Sequence, residues 1–431
     1  MNRIVILGGA GNMAGIAARR LADLRQDVSI VLADRNLAKA QNRAQTFGPA
    51  FTAEAVDLFD PRRLREVIRG ARLVANATGP YYRTGRPVLE AAIDCRADYI
   101  DFGDDVESAD LMIGLDRLAR EGGITALIGA GIAPGVANVV ARELASRLDV
   151  ADSVQFAWVT GPTPRRPGQE VGGRAVIEHM LHSCIGITFT VEDGRRRVIP
   201  AFRRSERLAF PAPLGECRVY DIGHAELATI PHFLPGIKRV RCQGSVHPAT
   251  LNGLFQGLAV GVTSGQIDWD DAIEFVMALE QGANVGGACL RSALGGILRQ
   301  WFRRELRRRD IADLAKLVRG MPFAESLGGL YVRVEGSCDG KRTAWLARTA
   351  IVQTAENGGM DDVTGTPLAL FAHLMLEGKI RRPGVVAPEA VVAPGDLRAL
   401  LLATNYPGAG PLFAPESVPA SDGGDAPSAT G

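Results

Sequence analysis

The sequence predicts an α/β chain, with a doubly wound parallel sheet first and an α+β domain with a mixed sheet after it. Short apolar runs recur at Arg3–Leu7, Val28–Ala33, Thr52–Val56, Arg72–Ala77, Asp98–Phe102 and Thr125–Ile128. Amphipathic helical stretches such as Ile16–Leu24 and Leu37–Thr46 lie between them. Near-continuous apolar strands alternating with helices indicate a parallel sheet covered on both faces. Right-handed crossovers then wind it double.

After Gly131 the rhythm changes. A helix is expected at Val136–Leu148, then alternating segments at Ser153–Val159, Thr188–Val191, Arg218–Ile222, Arg239–Gln243, Leu330–Val334 and Thr343–Val352. These read as strands of a second sheet, antiparallel or mixed. Cys338-Asp339-Gly340-Lys341 is a hairpin signal between the last two. Helical patterns cover His247–Thr263, Asp268–Arg309 and Pro367–Glu377, and residues 405–431, rich in Pro, Gly, Ala and Ser, read as a disordered tail.

Composition bounds the function. Hydrophobic residues are 46% and charged residues 23%, as in ordinary globular proteins. A net charge of +1 gives no electrostatic argument for nucleic acid or an anionic membrane. No uninterrupted apolar stretch reaches the roughly 20 residues of a membrane span. The cysteines form no Cys-x-x-Cys pair, so reduced thiols and a cytoplasmic location are expected. Glycine is in excess, at 50 of 431 residues where about 30 is usual.

The strongest motif explains part of that excess. Ile4-Val5-Ile6-Leu7 runs into Gly8-Gly9-Ala10-Gly11-Asn12-Met13-Ala14, where Gly9, Gly11 and Ala14 fit G-x-G-x-x-G/A. In this Rossmann pattern Gly9 permits the tight turn, Gly11 lets backbone approach a pyrophosphate and Ala14 lets the helix pack. The N–H groups of the helix, at Asn12 and Met13 first, face the anion. Asp34 ends the second strand and suits the ribose hydroxyls, which favours NAD(H). Arg35 beside it suits a 2′-phosphate, so NADP(H) stays open. Asp57 is expected beside the adenine or as a helix cap. Ala77, Thr78 and Gly79 follow the fourth strand at the carboxyl end of the sheet, where ligands bind.

Further motifs are Asn76–Pro80, Tyr99-Ile100-Asp101-Phe102-Gly103-Asp104, Gly131–Asn138, Gly223-His224-Ala225-Glu226 with Thr229-Ile230-Pro231, and Pro383–Val385 with Pro388-Glu389. Together with the glycine turn they resemble the saccharopine dehydrogenase (saccharopine reductase-like) NAD(P)-binding family over about residues 1 to 400. The resemblance implies an α/β fold of Rossmann type with an inserted α+β mixed-sheet domain. It divides the chain into a discontinuous dinucleotide-binding domain at 1–135 and 355–400 and a substrate and dimerisation domain at 136–354. It implies a homodimer, NAD or NADP as cofactor, and reduction of an imine formed from an amine and an aldehyde or keto acid, or the reverse. Alternatives on the same scaffold are a reductase of C=C bonds or ketones, and a dinucleotide sensor without turnover. One position departs from the family turn Gly-x-Asp-Pro-Gly, because Ala133 replaces the acid.

Such chemistry needs a hydride donor, a proton donor and cations for substrate carboxylates. Tyr81 is a candidate acid and Tyr82 a substrate contact, with aromatic packing as the competing role for both. Asp101 is a candidate at the end of the fifth strand, while Asp104 and Asp105 are expected to cap the helix from Val106. His224 and Glu226 form a candidate acid/base pair. Arg174, at a helix start, is a candidate carboxylate clamp. His179, His182 and Cys184 lack a further ligand at convincing spacing, so no metal is expected. Arg299, Arg303, Arg304, Arg307, Arg308 and Arg309 read as a solvated or subunit-facing helix end.

Overall fold

The computed structural model describes residues 1–162, 173–281, 283, 285–307, 310, 312, 325–354 and 359–421. The chain forms two compact units. One holds Met1–Arg142, His224–Pro235 and Asp361–Ala409; the other holds Glu143–Gly223, Gly236–Met360 and the residues from Gly410 on.

The first unit runs β1 (Asn2–Leu7), α1 (Asn12–Leu24), β2 (Val28–Asp34), α2 (Leu37–Phe47), β3 (Phe51–Ala55), α3 (Pro61–Ile68), β4 (Leu73–Asn76), α4 (Tyr81–Cys95), β5 (Asp98–Asp101), α5 (Val106–Ile113), α6 (Asp116–Gly122) and β6 (Thr125–Leu127). α7 (Val136–Ala145) then leads out of it. Local chemistry sets several starts. Asn36 accepts from the Lys39 N–H to open α2. Asp60 accepts from the Arg62 and Arg63 N–H groups, with Pro61 at the first position of α3. Each such cap contributes about 1 kcal/mol.

The second unit holds β7 (Val150–Thr160), α8 (Arg174–His182), β8 (Ile187–Glu192), β9 (Arg195–Pro200), β10 (Ser205–Ala209) and β11 (Glu216–Asp221). α9 (Glu226–Phe233) belongs to the first unit. The second continues with β12 (Arg239–Val246), α10 (Thr250–Thr263), α11 (Trp269–Glu280), α12 (Gly287–Phe302), β13 (Glu325–Cys338) and β14 (Lys341–Thr354). From Asp361 the chain is back in the first unit, with α13 (Gly359–Leu376), β15 (Gly384–Val386), α14 (Pro388–Val391) and α15 (Pro394–Ala403); α16 (Ala409–Leu412) and β16 (Glu416–Val418) follow.

The first sheet has the order β15-β6-β5-β4-β1-β2-β3, and every pairing in it is parallel. Its direction of winding reverses between β1 and β4, so the loops after these strands flank the crevice where such sheets bind ligands. Ile4, Val5, Ile6 and Leu7 are fully buried, as strands covered on both faces require. The second sheet runs β10-β11-β12-β7-β13-β14-β16, with β8 on β12 and β9 on β8. β12 and β7 pair in parallel and the other pairs are antiparallel, so the sheet is mixed. Phe210, Val219, Tyr331 and Leu346 are among its core. The expected hairpin joins β13 to β14, with Cys338 opposite Lys341 and Asp339 and Gly340 at φ +50° and +73°.

Three expectations are corrected. The pattern over Asp268–Arg309 is two helices, α11 and α12, because Gly286 and Gly287 interrupt it, the latter at φ +75°. Arg308 and Arg309 lie outside the described residues. Described residues of the tail are packed: Tyr406, Leu412 and Phe413 are buried, the Tyr406 hydroxyl donates to the Val363 carbonyl at 2.7 Å, and β16 pairs with β14. Pro-rich composition masked apolar residues with enough area to bury. His224–Pro235, within the span read as the second domain, returns to the first unit.

Candidate functional site

β1 delivers the chain to a tight turn. Gly8 has φ +80°, and its N–H and that of Gly9 both donate to the Ala33 carbonyl. The turn therefore rests on Gly8. Gly9 answers to packing instead, since a Cβ there would lie 2.7 Å from the Leu32 Cβ. Gly11 starts α1 with no side chain capping the helix. A Cβ at Gly11 would meet only the Gly8 carbonyl oxygen, at 3.1 Å, and otherwise open space. The first turn of α1 thus presents N–H groups of Asn12, Met13 and Ala14 without a capping side chain, over a cradle that a side chain would fill. That arrangement fits a dinucleotide pyrophosphate. Ala14 is buried, as helix packing on the sheet requires. The Asn12 side chain is turned away and donates to Asp361 at 3.1 Å.

Asp34, at the end of β2, accepts from the Ala10 N–H at 3.0 Å and the Asn36 N–H at 2.8 Å. A carboxylate has about four acceptor positions, so it can still take ribose hydroxyls. Arg35 next to it is exposed. Arg43 of α2, which the sequence reading missed, donates to the carbonyls of Gly9 and Gly11 and to Asn12 Oδ1. It braces the turn from outside. Asp57 accepts from the Phe59 N–H, and the cap of α3 is Asp60, not Asp57.

The ends of β4 and β5 carry a buried network. Asp101 Oδ1 accepts from the N–H groups of Gly103 and Gly129, at 3.0 and 2.7 Å, and Oδ2 accepts from the Tyr99 hydroxyl at 2.7 Å. Burial pushes its carboxyl up to about 6, against these hydrogen bonds. Its oxygens hold the loops after β5 and β6 to the end of β5. Tyr81 is buried and donates to the Asn76 carbonyl at 3.3 Å. Burial and the nearby carboxylates of Asp101, Asp104 and Asp105 hold its phenol well above the ordinary value. Asp105 differs from expectation. It makes no side-chain cap to α5 and instead accepts from the Tyr81 and Tyr82 N–H groups, at 2.9 and 3.2 Å, capping α4. Tyr82 is half-buried there. Ala77 donates to the Leu7 carbonyl, Thr78 bonds Asn76 Oδ1, and Gly79 is half-buried in the same loop.

His224 and Glu226 do meet, His224 Nδ1 bonding Glu226 Oε2, and both are buried. Asn138, Thr229 and Glu389 join them in the same unit and were not singled out one by one from sequence. Asn138 Nδ2 reaches Thr229 Oγ1 at 3.3 Å and Glu389 Oε2 at 3.1 Å. The Gly131–Asn138 and Pro388-Glu389 motifs were the available signal. Burial and the charge of Glu226 push the Glu389 carboxyl up to about 7. In the second unit, Arg174 opens α8 and pairs with Asp270.

Residues 4–127 match the saccharopine dehydrogenase NADP-binding domain. That match supports the resemblance to the saccharopine dehydrogenase-like family over the first part of the chain. It is 24% identical over 396 residues to the carboxyaminopropylagmatine dehydrogenase of Synechocystis, covering 88% of this chain and 91% of that protein. It is 26% identical over 256 residues to the carboxynorspermidine synthase of Vibrio alginolyticus, covering 54% of this chain and 60% of that relative. The saccharopine dehydrogenase (L-Glu forming) of Saccharomyces cerevisiae has the same fold, at TM-score 0.64 and 15% identity over 98% of this chain and all of that one. This saccharopine dehydrogenase-like chain is an NAD(P)-dependent oxidoreductase. Among the described residues no helix is long and apolar enough to cross a membrane.

Proposed function

We propose that the enzyme reduces the C=N bond of an imine formed between an amine and a carbonyl compound, or oxidises the resulting secondary amine. The observation that carries this reading is the match to carboxyaminopropylagmatine dehydrogenase, which runs through 88% of the chain. Its name and that of carboxynorspermidine synthase denote carboxylated amines, so a carboxylated amine is the proposed substrate class. A bound nicotinamide supplies hydride to such a carbon.

The chain's own residues bind and orient. The N–H groups at Asn12, Met13 and Ala14 take the pyrophosphate over the bare face of Gly11. Asp34 and Arg35 take the adenosine ribose, with Asp57 beyond them, and Ala77, Thr78 and Gly79 approach the nicotinamide. His224, oriented by Glu226, is the proposed proton donor or acceptor for nitrogen. Tyr81, whose hydroxyl points at a backbone carbonyl, and Asp101, whose oxygens are engaged, are the weaker candidates. Tyr82 and Arg174 are the proposed substrate contacts, and Asp270 competes for the Arg174 guanidinium. A cytoplasmic homodimer completes the reading.

The test incubates the protein with NADH or NADPH and a panel of amines, aldehydes and keto acids, and follows loss of reduced-nicotinamide absorbance. Oxidation that needs both amine and carbonyl is the expected result. Oxidation with a carbonyl or enone alone overturns the imine reading in favour of a ketone or C=C reductase.

A further inference from the structure

We propose that Arg43 is a positioning residue for the cofactor, aiming the Asn12 N–H at the pyrophosphate, and that Gly15 is bare so that the guanidinium can reach the turn.

Arg43 stands on α2, yet its guanidinium ends at the turn between β1 and α1. Nη1 donates to the Gly11 carbonyl and, at 3.3 Å, to the Gly9 carbonyl, and Nη2 donates to Asn12 Oδ1 at 3.4 Å. A trans peptide points its N–H away from its C=O. The Gly11 carbonyl shares a peptide with the Asn12 N–H. That carbonyl also takes the Gly15 N–H at 3.0 Å, the bond that opens α1. Held from both sides along the helix, it turns the Asn12 N–H out of the N-terminal end. The peptide between Gly9 and Ala10 is gripped at both poles, its carbonyl by Arg43 and its N–H by Asp34 at 3.0 Å. The Asn12 amide is gripped in the same way, between Arg43 and Asp361, which keeps that side chain off the anion. A cation makes stronger hydrogen bonds than a neutral donor. N–H groups set before the anion arrives also lose little freedom when it binds.

The path of the guanidinium runs over Gly15. A Cβ there would lie 2.5 Å from Arg43 Nη1, 2.9 Å from its Cζ and 3.1 Å from its Cδ. These three nearest atoms all belong to one flexible side chain, so alanine would displace the guanidinium and leave the helix intact. Alanine is also the better helix former. Gly15 therefore gives up helix stability at a site where its bareness serves Arg43.

Fluorescence titration with NADH and NADPH, beside thermal unfolding of the ligand-free protein, tests this. Arg43→Met should weaken both cofactors by the same factor, about tenfold, the worth of a hydrogen bond to a charged group. Gly15→Ala should weaken them by a similar factor while its melting temperature stays at or above that of the wild type. A merely structural glycine would lower both together. The double variant should bind no more weakly than either single one, because Gly15→Ala acts through Arg43. Wild-type affinity in either single variant, or losses that multiply in the double variant, overturns the proposal. So does a loss confined to NADPH in Arg43→Met, which would make Arg43 a contact for the 2′-phosphate. If Arg43→Met fails to fold, Gly15→Ala decides the point by its affinity and melting temperature. The inference rests on the proposed seat of the pyrophosphate at Gly11, and Gly11→Val separates the two. Lost binding in Gly11→Val with wild-type affinity in the other variants leaves the seat standing and removes only the role of Arg43. Wild-type affinity in Gly11→Val removes both.

Discussion

At the residue scale, the glycine turn after β1 carries the most direct prediction, at Gly11. Its missing side chain leaves a cradle open, so Gly11→Val should abolish NAD(P)H binding in a fluorescence titration while the fold persists. Wild-type affinity in that variant would remove the turn from the cofactor site. Asp34, proposed to take the ribose, also ties Ala10 to the end of β2. Asp34→Ser should therefore lower affinity for both cofactors and raise the NADPH to NADH affinity ratio, since the carboxylate that repels a 2′-phosphate is gone. An unchanged ratio would place the adenosine ribose elsewhere. Asp101 was legible as a residue at a strand end, but not as a brace, because its partners are backbone N–H groups that no spacing reveals. Its folded value of about 6 lies above the unfolded value near about 4. The unfolded state then binds fewer protons between these values, so its contribution to stability is full below about pH 4 and falls as pH rises to about 6. Asp101→Asn keeps an oxygen for Gly103 and Gly129 and should flatten that part of the stability curve in chemical denaturation.

At the element scale, the order of strands and helices in the first unit was legible because apolar period and capping residues agree there. The second unit was less so. The run from Asp268 read as one helix because periodicity continues across Gly286-Gly287, and only the backbone φ shows the break. Glycines of α10 and α12 set how closely these two helices approach. A Cβ at Gly296 of α12 would lie 1.9 Å from the Gly253 carbonyl oxygen of α10, and a Cβ at Gly257 would lie 2.0 Å from the Ser292 carbonyl oxygen. The two helices cross with backbone against backbone. Gly295, one residue earlier, has nothing within 4 Å. Adjacent substitutions should therefore have opposite signs in thermal unfolding. Gly295→Ala should stabilise by about 0.5–1 kcal/mol through helix propensity. Gly296→Ala should destabilise by about 1–3 kcal/mol through overpacking.

At the scale of the whole molecule, the sequence could not show that the chain enters the first unit three separate times. Thr229, Asn138 and Glu389 are far apart in sequence yet share one hydrogen-bonded cluster, so this cluster exists only once the fold has closed. The remaining whole-molecule question is association. Among the described residues, α12 exposes Leu294, Leu298, Trp301 and Phe302, at 41, 55, 44 and 80%. Their spacing puts them on one side of the helix, an apolar stripe of the kind that marks an interface. The proposed homodimer gives that stripe an occupant, a second copy of the same chain. A two-fold interface uses the same patch on both subunits, so each change counts twice. Leu298→Glu combined with Phe302→Glu should convert a dimer to a monomer in sedimentation velocity, with little loss of monomer stability, because both side chains already face solvent in the single chain. A double variant that sediments as a dimer would move the interface off α12, and a wild type that sediments as a monomer would remove the homodimer itself.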